Sequence, residues 1–138
     1  MNTLRFAFSS CTAALLVLAA SSALAADIKL AGDQEVPAVK TSASGTGNIT
    51  VAADGAVSGS VMTTGLNGTA AHIHQGAAGK NGPVVVPLTK SADGNTWSVP
   101  AGSKLNADQL KAYQAGELYV NVHTEANKGG EIRAQLKP

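Results

Sequence analysis

The chain has 138 residues, of which 14% are charged, and its formal net charge is +1. This balance, with no run of Lys or Arg, argues against nucleic acid or an anionic membrane surface as the main partner. The single cysteine, Cys11, excludes an internal disulfide framework.

The first 25 residues are predicted to be a signal peptide. A positive charge at Arg5 precedes a short apolar run, and Ala23-Leu24-Ala25 fits the small-x-small rule for cleavage. The run is far shorter than the ~20 apolar residues that span a bilayer, so we expect no membrane span. The remaining domain, residues 26–138, is expected to be exported, either periplasmic or secreted.

Short runs rich in Val, Ile, Leu and Thr alternate with glycine-rich turns along this domain, which is typical of an all-β protein. Strands are predicted at residues 28–31, 47–52, 57–66, 70–74, 83–88, 96–99, 118–123 and 131–136. Alternation of apolar and polar residues favours layers with one buried face. The predicted fold is therefore an antiparallel, Greek-key-like β-sandwich, with core positions that include Val120, Val122, Ile132 and Leu136.

One segment departs from the strand pattern. Asn106 is suited to cap a helix, Gln109 follows three residues later in capping-box position, and Gly116 is a stop signal. The sequence thus predicts one short helix over residues 107–114, with Leu110 and Tyr113 facing the sheet.

All three histidines lie in strand-like segments. His72 and His74 are two residues apart and therefore project from the same face of a strand. In a later predicted strand, His123 shares a face with Tyr119 and Asn121. If the two strands lie close together in the fold, the three imidazoles converge on one metal ion.

Three neutral imidazoles suit copper first and zinc second, and they leave a coordination position open. The predicted metal ligands are therefore His72, His74 and His123. Asn121 and Tyr119 are candidates for orienting or shielding them, and Glu131 is a candidate either for the same role or as a ligand.

Each of these residues also has a structural interpretation. The histidines can form hydrogen bonds across a sheet without any metal. Glu131 can form a surface ion pair with Arg133 or Lys128. Met62 is a conceivable soft ligand for copper, although a thioether in a valine-rich strand is more often a packing residue.

Three ordered blocks resemble the CHRD domain, a family named for chordin and found in small exported bacterial proteins. They are AGDQEVP at 31–37, AHIHQG at 71–76 with NGPVV at 81–85, and GELYVNVHT at 116–124 with GGEIR at 129–133. Lys128 stands where the family often has Pro, and Ala134 where Gly is usual. The resemblance implies an all-β extracellular fold, and it implies little about activity.

Three classes of function remain open. The first is an exported metal-binding protein. The second is an extracellular adhesion or protein-interaction module with structural histidines. The third is a redox enzyme of the superoxide dismutase type, which ranks last because zinc-loop histidines are missing. No Ser-His-Asp or Cys-His arrangement is recognisable, so the sequence assigns no catalytic residue and favours a non-enzyme.

Overall fold

The computed structural model describes residues 27–138, so the predicted signal peptide and its cleavage site lie outside the described residues. Within this range nine strands form one sheet in the order β5-β4-β8-β9-β1-β2-β3-β7-β6. Their bounds are β1 Asp27–Ala31, β2 Ser44–Val51, β3 Val57–Thr64, β4 Ala70–Gln75, β5 Val84–Pro87, β6 Thr89–Lys90, β7 Thr96–Ser98, β8 Leu118–His123 and β9 Ile132–Leu136. One helix, α1, spans Ala107–Gln114.

The sheet turns back on itself and becomes an antiparallel sandwich that is nearly a closed barrel. β5 and β6, at the two ends of the strand order, are consecutive in the chain and joined by Leu88, whose N–H donates to the Ala71 carbonyl at 2.9 Å. β1 and β9 are paired only where Ala31 lies opposite Arg133. We therefore describe a first layer of β5, β4, β8 and β9, and a second layer of β1, β2, β3, β7 and β6.

This architecture confirms the predicted all-β sandwich. All strand pairs are antiparallel. β3 and β4, like β7 and β8, follow each other in the chain but lie in different layers, as Greek-key connections require.

The core lies between the two layers and is filled by alternate residues of each strand. The four predicted core residues are buried: Val120, Val122 and Ile132 have 0% exposure, and Leu136 has 2%. Trp97 from β7 joins them in the core. Apolar burial of this kind provides most of the driving force for folding.

The helix forms where the capping box predicts it. The Asn106 side chain accepts from the Gln109 N–H, and the Gln109 side chain accepts from the Asn106 N–H, both at 2.9 Å. Gly116, just beyond the helix, has φ of 75°, a conformation that favours glycine. Leu110 and Tyr113 pack against the core, as predicted.

Some predicted boundaries are wrong. β2 begins at Ser44 rather than residue 47, and β3 ends at Thr64 rather than residue 66. The predicted strand at 83–88 is shorter, because β5 spans Val84–Pro87 and the chain then leaves the first layer to enter the second as β6. Among the described residues, no helix has the length and apolar character needed to cross a membrane.

Candidate metal centre

The two histidine-bearing strands are direct neighbours. β4 and β8 pair antiparallel, with His72 opposite Asn121, His74 opposite Tyr119 and Ala70 opposite His123. Side chains on one face of such a pair also reach their diagonal neighbours. The register therefore brings His123 beside His72 on the outer face of the first layer.

One nitrogen of each imidazole lies within 4.8 Å of the other two. His72 Nδ1 is 3.0 Å from His123 Nε2. Metal–imidazole bonds are about 2.0–2.1 Å long, so two nitrogens on one ion lie no more than about 4.2 Å apart. The 3.0 Å pair meets this condition, and His74 offers a nitrogen within 4.8 Å of a nitrogen of each of the other two rings.

Backbone carbonyls orient two of the three rings. His74 Nδ1 donates to the Gly82 carbonyl at 3.0 Å, and His123 Nδ1 donates to the Lys128 carbonyl at 2.9 Å. Because a carbonyl can only accept, each of these nitrogens carries a proton. Nε2 of each neutral ring is then left with a lone pair, which is the arrangement found in metal-binding histidines.

Within the part of the chain that the structure describes, the lone pair of His74 Nε2 has no hydrogen-bond partner. His74 is 8% exposed, and its Nε2 atom is buried without a hydrogen bond. His123 Nε2 accepts instead from His72 Nδ1, so in this state a proton lies between two of the candidate ligands. A buried acceptor without a donor is unfavourable, and a bound cation would satisfy it.

The surroundings keep two of the rings in the neutral form that binds metal. Burial lowers the pKa of His72, and the neighbouring His123 and His74 lower it further. Burial also lowers the pKa of His74, with smaller opposing effects from the Gly82 carbonyl and Asn121. Protons therefore compete with a metal less effectively here than at an exposed histidine.

Tyr119 is in direct contact with the site, as its strand position predicts. Its ring is stacked on His74, with 4.9 Å between centroids and 4° between planes. Its hydroxyl accepts from the Gly82 N–H at 3.2 Å. The Arg133 guanidinium lies 3.5 Å from the centre of the Tyr119 ring. Tyr119 therefore contacts both the His74 ring and Gly82, the residue whose carbonyl orients that ring.

Asn121 is also placed beside the cluster. It is 1% exposed, and its amide donates to the Gly129 carbonyl at 3.3 Å. The Asn121 side chain raises the pKa of His74 and lowers the pKa of Glu35, so it acts on both groups.

Glu35 was not predicted as a site residue. It is only 5% exposed, and burial raises its pKa to about 6, against opposing effects of Asn121, Arg133 and the Val36 N–H. Glu35 lies within the sequence block at 31–37. No residue close to it in the chain, however, indicates that its carboxyl is buried. Only the fold shows that this segment covers the polar face of β8.

Glu131 is not part of the histidine cluster. Its carboxylate accepts from Thr41 at 2.8 Å, Thr124 at 2.7 Å and Asn127 at 3.2 Å. These bonds lower its pKa, with the Thr124 bond the largest cause. Glu131 therefore links the β8–β9 hairpin to the loop before β2. The structure supports neither of its predicted roles, as a metal ligand or as a residue that orients the ligands.

Neither ion pair that the sequence left open for Glu131, with Arg133 or with Lys128, is present among the described residues. Lys128 Nζ lies instead 3.9 Å from Glu125, at the surface. Arg133 is 1% exposed and donates to the Ala77 carbonyl at 3.1 Å. The buried Arg133 guanidinium is thus held by the Tyr119 ring and the Ala77 carbonyl. It supports Tyr119 beside the histidines and, within residues 27–138, forms no ion pair at the surface.

Met62 is in neither of the two environments considered for it, a copper site or a packed strand face. It lies on β3, which β9, β1 and β2 separate from β8 in the strand order, and it is 57% exposed. It is thus neither a metal ligand at this cluster nor a packing residue.

The family described as CHRD domain matches residues 27–136. No curated protein and no solved structure matches the chain. The match spans all three histidines and the segments that carry their backbone partners.

Proposed function

This chain belongs to the CHRD domain family, and on that premise we propose that it is an exported metal-binding protein with one site formed by His72, His74 and His123. The observation that carries the proposal is the histidine cluster itself: one ring nitrogen of each histidine lies within 4.8 Å of the other two, and among residues 27–138 the buried Nε2 of His74 has no hydrogen-bond partner.

The donor set favours copper first and zinc second. Imidazole nitrogens suit both ions, and Cu²⁺ binds a given nitrogen site more tightly than Zn²⁺. His72 and His123 are half-buried, whereas His74 is buried. A bound ion would therefore have the buried His74 on its protein side and the two half-exposed rings of His72 and His123 towards solvent.

Export is supported by the sequence of the first 25 residues, with a positive charge, a short apolar run and a small-x-small site. N-terminal sequencing of protein recovered from the periplasm or medium tests this part, and a mass that retains Cys11 contradicts it.

Copper titration of untagged protein tests the site. We expect one equivalent of Cu²⁺ to bind, and each of the variants His72→Ala, His74→Ala and His123→Ala to lower the affinity at least tenfold. Met62→Ala is the matched control, because the residue is exposed and lies in the other layer. Circular dichroism checks that each variant keeps its β structure.

The pH dependence is a second test. The pKa values of His72 and His74 are lowered from 6.5, so protons should displace the metal only as the pH falls to about 6 and below. Equal copper affinity in wild type and His123→Ala, both folded, would remove the three-histidine site and leave the histidines a structural role.

A further inference from the structure

The outer side of the second layer carries an ordered, uncharged array of small polar side chains. Six residues of β2, β3 and β7 form its centre, and we call them the hydroxyl face: Thr46, Asn48, Ser60, Met62, Thr96 and Ser98. The strand registers align them in two rows. Thr46 lies opposite Met62, which lies opposite Thr96; Asn48 lies opposite Ser60, which lies opposite Ser98.

The array is regular because the strands that carry it are regular. Neighbouring strands lie about 4.8 Å apart, and alternate residues along one strand lie about 6.8 Å apart. From β2 across β3 to β7 there are two strand spacings, or about 10 Å. The face is therefore long enough for more than one ring of a polymer.

The face has no charge of its own. β2, β3 and β7 contain no Asp, Glu, Lys or Arg, although 14% of the chain is charged. At its border, Asp27 and Lys29 of β1 lie opposite Asn48 and Thr46, and their charges cancel. Because these two charges are opposite, the face has no net charge to attract an anionic or a cationic polymer.

Met62 lines a groove on this face. The groove has a volume of about 430 Å³ and is bordered by Asp27, Lys29, Thr46, Ser60 and Thr96 among others. This volume falls within the roughly 300–1,000 Å³ typical of small-molecule sites, where an apolar surface is combined with a few polar groups. Met62, at 57% exposure, is one of two large hydrophobic residues exposed among the described residues.

We propose that the hydroxyl face binds a neutral oligosaccharide or polysaccharide. A sugar ring has an apolar C–H face and a rim of hydroxyl groups. Met62 offers the apolar surface, and the hydroxyls of Thr46 and Ser60, which form no hydrogen bond within the described chain, offer partners for the rim. A peptide that adds a strand is a poor occupant, because β2, β3 and β7 are each paired on both sides.

This site is independent of the histidine cluster, which lies on the other layer. Backbone amide spectra of the ¹⁵N-labelled, metal-free protein test it directly, with cellopentaose, chitopentaose and maltopentaose titrated separately at millimolar concentration. We expect at least one of these neutral probes to shift amide signals of β2, β3 and β7 while leaving β4 and β8 unchanged. A heparin hexasaccharide, which is strongly anionic, should not bind.

Met62→Ala should weaken the neutral sugar roughly five- to tenfold, as expected for the loss of one apolar contact. Val84→Ala is the matched control, because Val84 is 50% exposed but lies on β5 in the first layer. Thr46→Val, which keeps the shape and removes the hydroxyl, should also weaken binding. The absence of shifts with all three neutral probes, shifts confined to the first layer, or undiminished binding by Met62→Ala would each overturn the proposal.

Discussion

Replacing Glu35 with Gln should stabilise the protein at neutral pH and leave its stability almost unchanged in mild acid. Glu35 is 5% exposed, and burial raises its pKa from 4.5 to about 6 in the folded state. The folded protein therefore holds this proton more tightly than the unfolded chain does. Glu35 contributes stability that is fully present below pH ~4.5 and is lost as the pH rises through ~6.

The size of the effect follows from the shift. A difference of about 1.5 pKa units, at about 1.36 kcal/mol for each, corresponds to roughly 2 kcal/mol of folding free energy. Gln has the shape of the protonated carboxyl and does not titrate. We compare the unfolding free energy of Glu35→Gln with that of wild type at each pH. The variant's advantage should be about 2 kcal/mol larger at about pH 7.5 than at about pH 4.

Urea denaturation of the metal-free proteins at these two pH values measures the difference. Taking the difference from wild type at each pH removes the contributions that the two proteins have in common. Glu117→Gln is the matched control, because Glu117 is exposed and its replacement should change stability by less than about 0.5 kcal/mol at either pH. If the difference for Glu35→Gln is the same at both pH values, or decreases as pH rises, the assignment of Glu35 as a buried acid is refuted.

Two further predictions concern backbone partners. Gly82→Ala should lower copper affinity about 10- to 100-fold, because a Cβ there collides with the Gln75 carbonyl and displaces the Gly82 carbonyl that orients His74. Gly129→Ala is the control in the same titration. Its Cβ meets nothing within 4 Å, so this variant should bind copper as wild type does. Asn106→Ala should lower the free energy of unfolding by about 1 kcal/mol in urea denaturation through loss of the helix cap, and an unchanged midpoint would contradict the capping role.

Several features of this protein follow from the sequence alone, because they depend on residues close together in the chain. Alternating apolar residues identify Val120 and Val122 as one face of a strand, and a spacing of two places His72 and His74 together. The capping box at Asn106 determines where the helix begins. Each of these is a matter of local geometry.

Other features depend on which distant segments become neighbours, and only the tertiary structure decides this. His72 and His123 are 51 residues apart, and the pairing of β4 with β8 places their ring nitrogens 3.0 Å apart. Loop packing buries Glu35 and Arg133, although their residue types are usually exposed. Contact across the fold, rather than residue type or spacing, determines the environment of all of these side chains.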